Sequence, residues 1–164
     1  MGTMKPNPLT VTLYPNGYGM GYVIAENPKE IINYGVARIR PMTPSGYIKR
    51  LQRFIETYRP SLIIIRDPDG TGRMSKRIQN ILKNFEEHTQ ELELPVYKYS
   101  REQVKEVFEQ FEGSSKHMIS KTIAGWYPEL KPRMPDLRRN QDSEHYQMGV
   151  FDAFALMITH YYLK

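Results

Sequence analysis

The order of elements written into this 164-residue chain predicts an α/β protein, with a mixed five-stranded sheet, three strands antiparallel and the rest parallel, and helices on both faces. Three observations carry that prediction. Leu9, Val11 and Leu13 alternate with Thr10 and Thr12 as a half-buried strand does, and Pro15-Asn16-Gly17 then supplies turn chemistry. Leu62-Ile63-Ile64-Ile65 is a short, largely β-branched apolar run, the pattern of a central strand covered on both faces. Between them Tyr47, Leu51, Phe54, Ile55 and Tyr58 recur at helical spacing, so the chain passes from hairpins into strand-helix alternation.

Taken in order, a second strand over residues 19–25 completes the first hairpin, and a third runs over 31–39 after the Asn27-Pro28 turn. Thr43 can cap a helix and Pro44 is tolerated in its first turn; Pro60 ends that helix. Beyond the apolar strand, residues 73–92 place Met74, Ile78, Ile81, Leu82 and Phe85 on one face of an amphipathic helix, and 95–99 form a further short strand. Ser100 with Gln103 makes a capping box that opens a helix carrying Val104, Val107, Phe108 and Phe111. Gly113-Ser114-Ser115 breaks it, Lys116–Trp126 is a second short helix, and the Pro-rich basic segment 127–139 reads as loop. Asp142 or Ser143 then caps a last helix to Tyr162. This order is that of the ribonuclease H-like fold, in one domain over 9–164, without an internal repeat.

Composition narrows the function classes. The chain is 40% hydrophobic and has no run of the ~20 apolar residues that a helical membrane span needs. Its formal charge of +5 suits a polyanionic partner without demanding one. No cysteine is present, which excludes disulfides, thiolate metal sites and cysteine nucleophiles and makes a cytoplasmic setting the expectation. Met1-Gly2-Thr3-Met4 lacks the apolar core of a signal peptide, and residues 1–8 are expected to be a disordered or tag-derived leader.

Asp152 is the only charged residue between His145 and His160, set among Met148, Val150, Phe151, Ala153, Phe154, Ala155, Leu156, Met157 and Ile158. A lone carboxylate on so apolar a helix must point out of the packed layer or meet something that stabilises its charge. The alternative is that it marks the solvent edge of a packing helix.

Four stretches resemble the RuvC-type Holliday junction resolvases. Leu13-Tyr14-Pro15-Asn16 with Gly21-Tyr22 is similar to the family's first-strand Asp-Pro-Gly followed by Gly-Tyr. Arg101-Glu102-Gln103-Val104-Lys105 is similar to its Arg-Gln-Val-Lys region, and Lys116 follows Lys105 at the spacing of the family's two basic residues that approach DNA. Asp152-Ala153-Phe154-Ala155 resembles its Asp-Ala-x-Ala ending. The matches run in the family's order across nearly the whole chain. The resemblance implies a nucleic-acid partner, branched DNA in particular, and a homodimer paired through the helix at 73–92; the apolar face of that helix could equally be spent on its own sheet.

The acidic positions depart from the family. Such resolvases hold two magnesium ions with four acidic or equivalent side chains, because in-line attack of water on a phosphodiester needs metals to activate the nucleophile and neutralise the leaving oxygen. Here those positions are Tyr14, Arg66, Gly149 and Asp152, and only the last is acidic. A phenol is a poor magnesium ligand at neutral pH, since its proton leaves only near pH ~10. Asp67 could turn toward the site through a bulge, although neighbours in a regular strand face opposite sides. His145, two helical turns before Asp152, could ligate a metal but stands roughly 10 Å away along the axis. Arg66 would supply a fixed cation in the metal's place and could pair with Asp152.

Three functions follow from these residues. The first is a degenerate, RuvC-like nucleic-acid-binding domain with no cofactor. Lys105 and Lys116 are its main contacts, Lys49, Arg50, Arg53, Arg73, Lys76, Arg77 and Lys83 are supporting cations, and Tyr18, Tyr22 and Tyr97 are stacking platforms. Ordinary solvated helix faces would show the same charges. The second is a divergent endonuclease using magnesium with Asp67, Asp152 and Glu144 or His145. The third is a protein-interaction module on the same fold.

Overall fold

A computed structural model describes residues 8–70, 73–134 and 141–164, and for 141–146 the backbone alone. The expected leader lies, apart from Pro8, outside the described residues. Strands β1 (Thr10–Asn16), β2 (Gly19–Asn27) and β3 (Glu30–Ala37) form an antiparallel meander. Strands β4 (Leu62–Arg66) and β5 (Val96–Tyr99) add in parallel on the other side of β1, giving the order β3-β2-β1-β4-β5. The mixed five-stranded sheet expected from the sequence is the sheet observed.

Two apolar layers cover it. Val11, Leu13, Ile63 and Ile65 face α1 (Pro44–Tyr58) and α2 (Lys76–Glu91), whose Tyr47, Leu51, Phe54, Ile81, Leu82 and Phe85 close that layer. Val23, Ala25 and Ile64 face the other way, onto α3 (Arg101–Glu109), α4 (Lys116–Trp126) and α5 (Gln141–Leu163). Consecutive isoleucines of β4 thus point into different layers, which is why the buried positions of that strand, Ile63 to Ile65, are all apolar. The apolar side of α2 is spent on its own sheet. Lys76, Arg77, Asn80, Lys83 and Glu87 are exposed, so the helix's outer side is polar.

Local chemistry sets most boundaries. Thr43 caps α1 by accepting from the Gly46 N–H, and Ser100 and Gln103 make the reciprocal capping box of α3. Several boundaries differ from the sequence reading. Helix α1 stops one residue before Pro60, at Arg59, whose left-handed backbone (φ 45°) returns its N–H to the Ile55 carbonyl. Helix α2 starts at Lys76 because Ser75 caps the Ile78 N–H. Helix α3 ends at Glu109, leaving Phe111 outside it, and β3 ends at Ala37, leaving Ile39 buried beyond the strand. Part of the expected Pro-rich loop is a 3₁₀ turn, Pro128–Arg133, closed over the core by buried Leu130. The expected capping side chains of the last helix, Asp142 and Ser143, lie outside the described side chains.

Helix α5 meets the meander at a glycine pair. A Cβ built on Gly21 would stand 1.9 Å from the Gly149 carbonyl oxygen, so the backbones of β2 and α5 touch where any side chain would separate them. That contact sets the depth at which Asp152, one turn further along α5, meets the sheet.

Candidate functional site: a cation-lined cleft at the end of the central strands

Tyr14 and Arg66 sit at the same level of the sheet because β1 and β4 pair in parallel up to Leu13 and Ile65. Asp152 and Met148 of α5, the hairpin turn from Pro15 to Tyr18, the entry of α2 at Arg73, Met74 and Ser75, and Lys116 at the start of α4 complete the walls of a 190 Å³ cleft. The turn is held from below: the fully buried Tyr47 donates from its hydroxyl to the Asn16 carbonyl at 2.8 Å. Asn16 Oδ1 also accepts the Tyr18 N–H at 2.7 Å. A rigid turn therefore forms one rim of the cleft.

Arg66 is fixed twice. Its guanidinium donates to the Arg73 carbonyl at 3.2 Å and lies over the Tyr14 ring, 5.8 Å from the centroid. Its charge also acts on the Tyr14 hydroxyl. Burial is the largest influence on that phenol and pushes its pKa far above the ordinary value; the negative charge of Asp152 adds to the rise, and Arg66 and Arg101 oppose it. Tyr14 is a neutral phenol at every physiological pH. Arg66 and Asp152, which the sequence suggests could pair, both act on the Tyr14 phenol, with opposite sign.

The other expected residues divide into three sets. Lys116 and Arg73 line the cleft with exposed side chains, while Lys105 and Lys76 are exposed outside it. Arg77 is a structural residue, donating to the Met42 carbonyl and so tying α2 to the segment before α1. Lys83 pairs with Asp69 at 3.7 Å. Asp67 does not line the cleft: its N–H donates to the Tyr99 carbonyl at 2.9 Å, and its Oδ1 accepts the Asp69 N–H at 2.9 Å in the turn after β4. Gly149 carries no side chain, and a Cβ there would stand 3.3 Å from Asn16 Nδ2. Glu144 and His145 fall outside the described side chains.

Arg101 is the residue that the sequence reading left out. It was quoted only as the first letter of a motif, yet its charge reaches Tyr14 from the first turn of α3. The signal was its place directly after the cap Ser100, which aims the first helical turn back at the strand ends.

Magnesium fits this donor set poorly. A divalent cage needs converging anionic oxygens, and these four positions offer one carboxylate, a phenol lying under a guanidinium, the guanidinium itself and a glycine. Among the described residues no group of three or more His, Asp or Glu side chains is placed to hold a metal ion. The cleft's charge is instead cationic, with Arg66, Arg73 and Lys116 against Asp152. A site of this kind can neutralise a phosphodiester but supplies no metal-bound water to attack it.

Comparison with solved structures places the fold. The chain is similar to Thermus thermophilus RuvC in complex with a Holliday junction substrate, at 16% identity and a TM-score of 0.64, over 94% of this chain and 93% of that one. A second Thermus thermophilus RuvC structure matches at 14% identity with the same TM-score and coverage. The yeast mitochondrial Holliday junction resolvase Ydc2 matches at 14% identity and a TM-score of 0.59, over 98% of this chain and 82% of that one. No protein-family model and no curated protein sequence matches the chain. The fold is therefore RuvC-type and ribonuclease H-like. Among the described residues no helix is long and apolar enough to cross a membrane.

Proposed function

We propose that this chain binds nucleic acid, branched DNA in particular, and meets phosphate in its cleft with fixed cations where RuvC-type resolvases use divalent metals. One observation carries the reading: Arg66 lies over the Tyr14 ring and is held by the Arg73 carbonyl, at the level of the sheet that Asp152 faces. A guanidinium held in this way is preorganised for a phosphate oxygen and needs no metal to counter its charge. Lys116 and Arg73 extend the same cationic surface outward, and Lys105, Arg101 and Lys76 stand beside it as flanking contacts. Asp152 tempers the field, and among the described residues it is the one carboxylate lining the cleft. The chemistry supported is holding, not cutting.

The finer expectations belong to this reading. A cytoplasmic protein is consistent with the absence of cysteine. A homodimer paired through α2 would have to meet along the helix's polar outer side, since its apolar side packs inward.

The test is a gel shift with a four-way DNA junction in EDTA. Wild type is expected to bind with an affinity that falls steeply with salt, and Arg66→Ala/Lys116→Ala to lose at least about tenfold. No shift at low salt would remove nucleic acid from the function and leave the interaction-module reading.

A further inference from the structure

A second cavity lies on the opposite side of the sheet from α5, between α1 and the β2-β3 edge. Tyr22, Asn33, Arg50, Arg53, Phe54 and Tyr58 are among its seven lining residues, and its volume is 390 Å³. Its aromatic rings form a ladder: Tyr22 and Phe54 are 5.0 Å apart between centroids, and Phe54 and Tyr58 stack at 6.2 Å. Arg50 lies over Phe54 at 5.6 Å, so its charge is held on the ladder, and Arg53 stands exposed at the rim. Asn33 Nδ2 donates to the Tyr58 hydroxyl at 2.9 Å, tying the last rung to β3.

Two features favour a ligand here over ordinary packing. Gly35 lets the Tyr22 ring lie flat across β3, because a Cβ at position 35 would stand 2.9 Å from the Tyr22 hydroxyl, and this keeps the ladder's first rung at the cavity wall. The seventh lining residue is Thr57, so no acidic side chain opposes the two arginines. Phe54 is buried, but Tyr22 and Tyr58 are partly exposed on either side of it; arginine charge beside such rings is the combination that holds a nucleotide, with its phosphate on guanidinium and its base on an aromatic face.

We propose that this groove is a second nucleotide-binding site, which seats one phosphate on Arg50 and Arg53 and packs its base against the partly exposed Tyr22 and Tyr58 rings that Phe54 supports from the core. The choice of ligand rests on the nucleic-acid reading above, but the site shares no residue with the cleft. The nucleotide comes either from a single strand that continues past the cleft or from a free mononucleotide.

The experiment measures binding of a fluorescein-labelled twelve-residue oligothymidylate, and separately of dTMP, to the full chain. Arg50→Ala/Arg53→Ala is expected to weaken the oligomer about tenfold and to lower the slope of log K against log salt by about 0.7, the equivalent of one phosphate contact. Arg53→Glu, which changes an exposed side chain only, should act in the same direction with unchanged thermal stability. Loss of oligomer affinity without any dTMP binding identifies a strand as the source; a matching loss for dTMP identifies the free nucleotide. If the α1 variants bind like wild type while Arg66→Ala/Lys116→Ala binds junction DNA poorly, the second site is wrong and the cleft reading stands. If wild type binds neither probe, the second site is also wrong.

Discussion

Helix α5 sets Asp152 and, about two turns later, His160 within its apolar stretch, and the fold treats these two side chains in opposite ways. His160 is buried to 5% exposure, with its Nδ1 2.7 Å from the Tyr99 hydroxyl and the Tyr97 and Tyr161 rings edge-on at 4.9 and 5.2 Å. Asp152 is half-buried and faces a cleft lined by Arg66, Arg73 and Lys116. The first polar group is consumed by the fold. The second is presented to an open cleft, and that contrast separates a side chain committed to packing from one that can meet a ligand.

Both ends depend on the depth at which α5 sits, so the largest effect is expected from its contact with β2. Gly21→Ala forces a methyl against the Gly149 carbonyl, where backbone cannot yield cheaply, and should cost about 3 kcal/mol, read as a large drop in Tm. A variant as stable as wild type would mean that the helix shifts freely and that the cleft is not fixed by it.

The contrast itself is broken or sharpened by exchanging each side chain. His160→Phe keeps a ring but strands the buried Tyr99 hydroxyl, and should cost about 1–3 kcal/mol by denaturant unfolding without changing DNA affinity. Asp152→Asn should leave stability within about 0.5 kcal/mol and tighten junction binding, because it removes the carboxylate among the cleft's cations. The reverse result, a stability loss at Asp152 and a binding loss at His160, would invert the assignment.

A smaller, pH-dependent effect belongs to the His160 end alone. Burial, with some help from the Lys164 charge, lowers the His160 pKa below its ordinary 6.5, and burial raises that of its partner Tyr99, which stays neutral at such pH. The unfolded chain then takes up a proton first as pH falls. The stabilising contribution is therefore full above about 6.5 and is lost as pH falls from there to the folded-state value. Thermal melts of wild type between pH 7.5 and 5.5 should show a steeper loss than those of His160→Phe, and equal slopes would contradict the burial argument.

The smallest effect concerns Thr12, whose buried hydroxyl has no hydrogen-bond partner among the described residues. Thr12→Val should be neutral or stabilising by up to about 1 kcal/mol.

The sequence made most of the scaffold readable, because its signals are local. The Thr43-Pro44 helix start, the Ser100-Gln103 capping box and the Ile63-Ile65 run each name their structure through chemistry within a few residues. The four cleft positions were legible as replacements, through their register with a family motif. Residues whose role depends on distant partners were not legible. Nothing near Gly149 announces that it touches Gly21, nothing near Arg77 announces the Met42 carbonyl, and the Asp67 carboxylate is drawn into its own turn by the Asp69 N–H. Arg50, Arg53 and Tyr22 were visible only as scattered cations and a tyrosine until the α1-β3 packing gathered them into one groove.

The most direct measurement incubates purified wild-type protein with a labelled four-way DNA junction in EDTA, in magnesium and in manganese, and follows both the bound fraction and the strand lengths. Binding in EDTA that neither metal strengthens, with intact strands in all three buffers, is the result expected of a cleft that holds phosphate by guanidinium. Metal-dependent nicking that disappears in Asp152→Asn would show that carboxylate chemistry survives here and would contradict it.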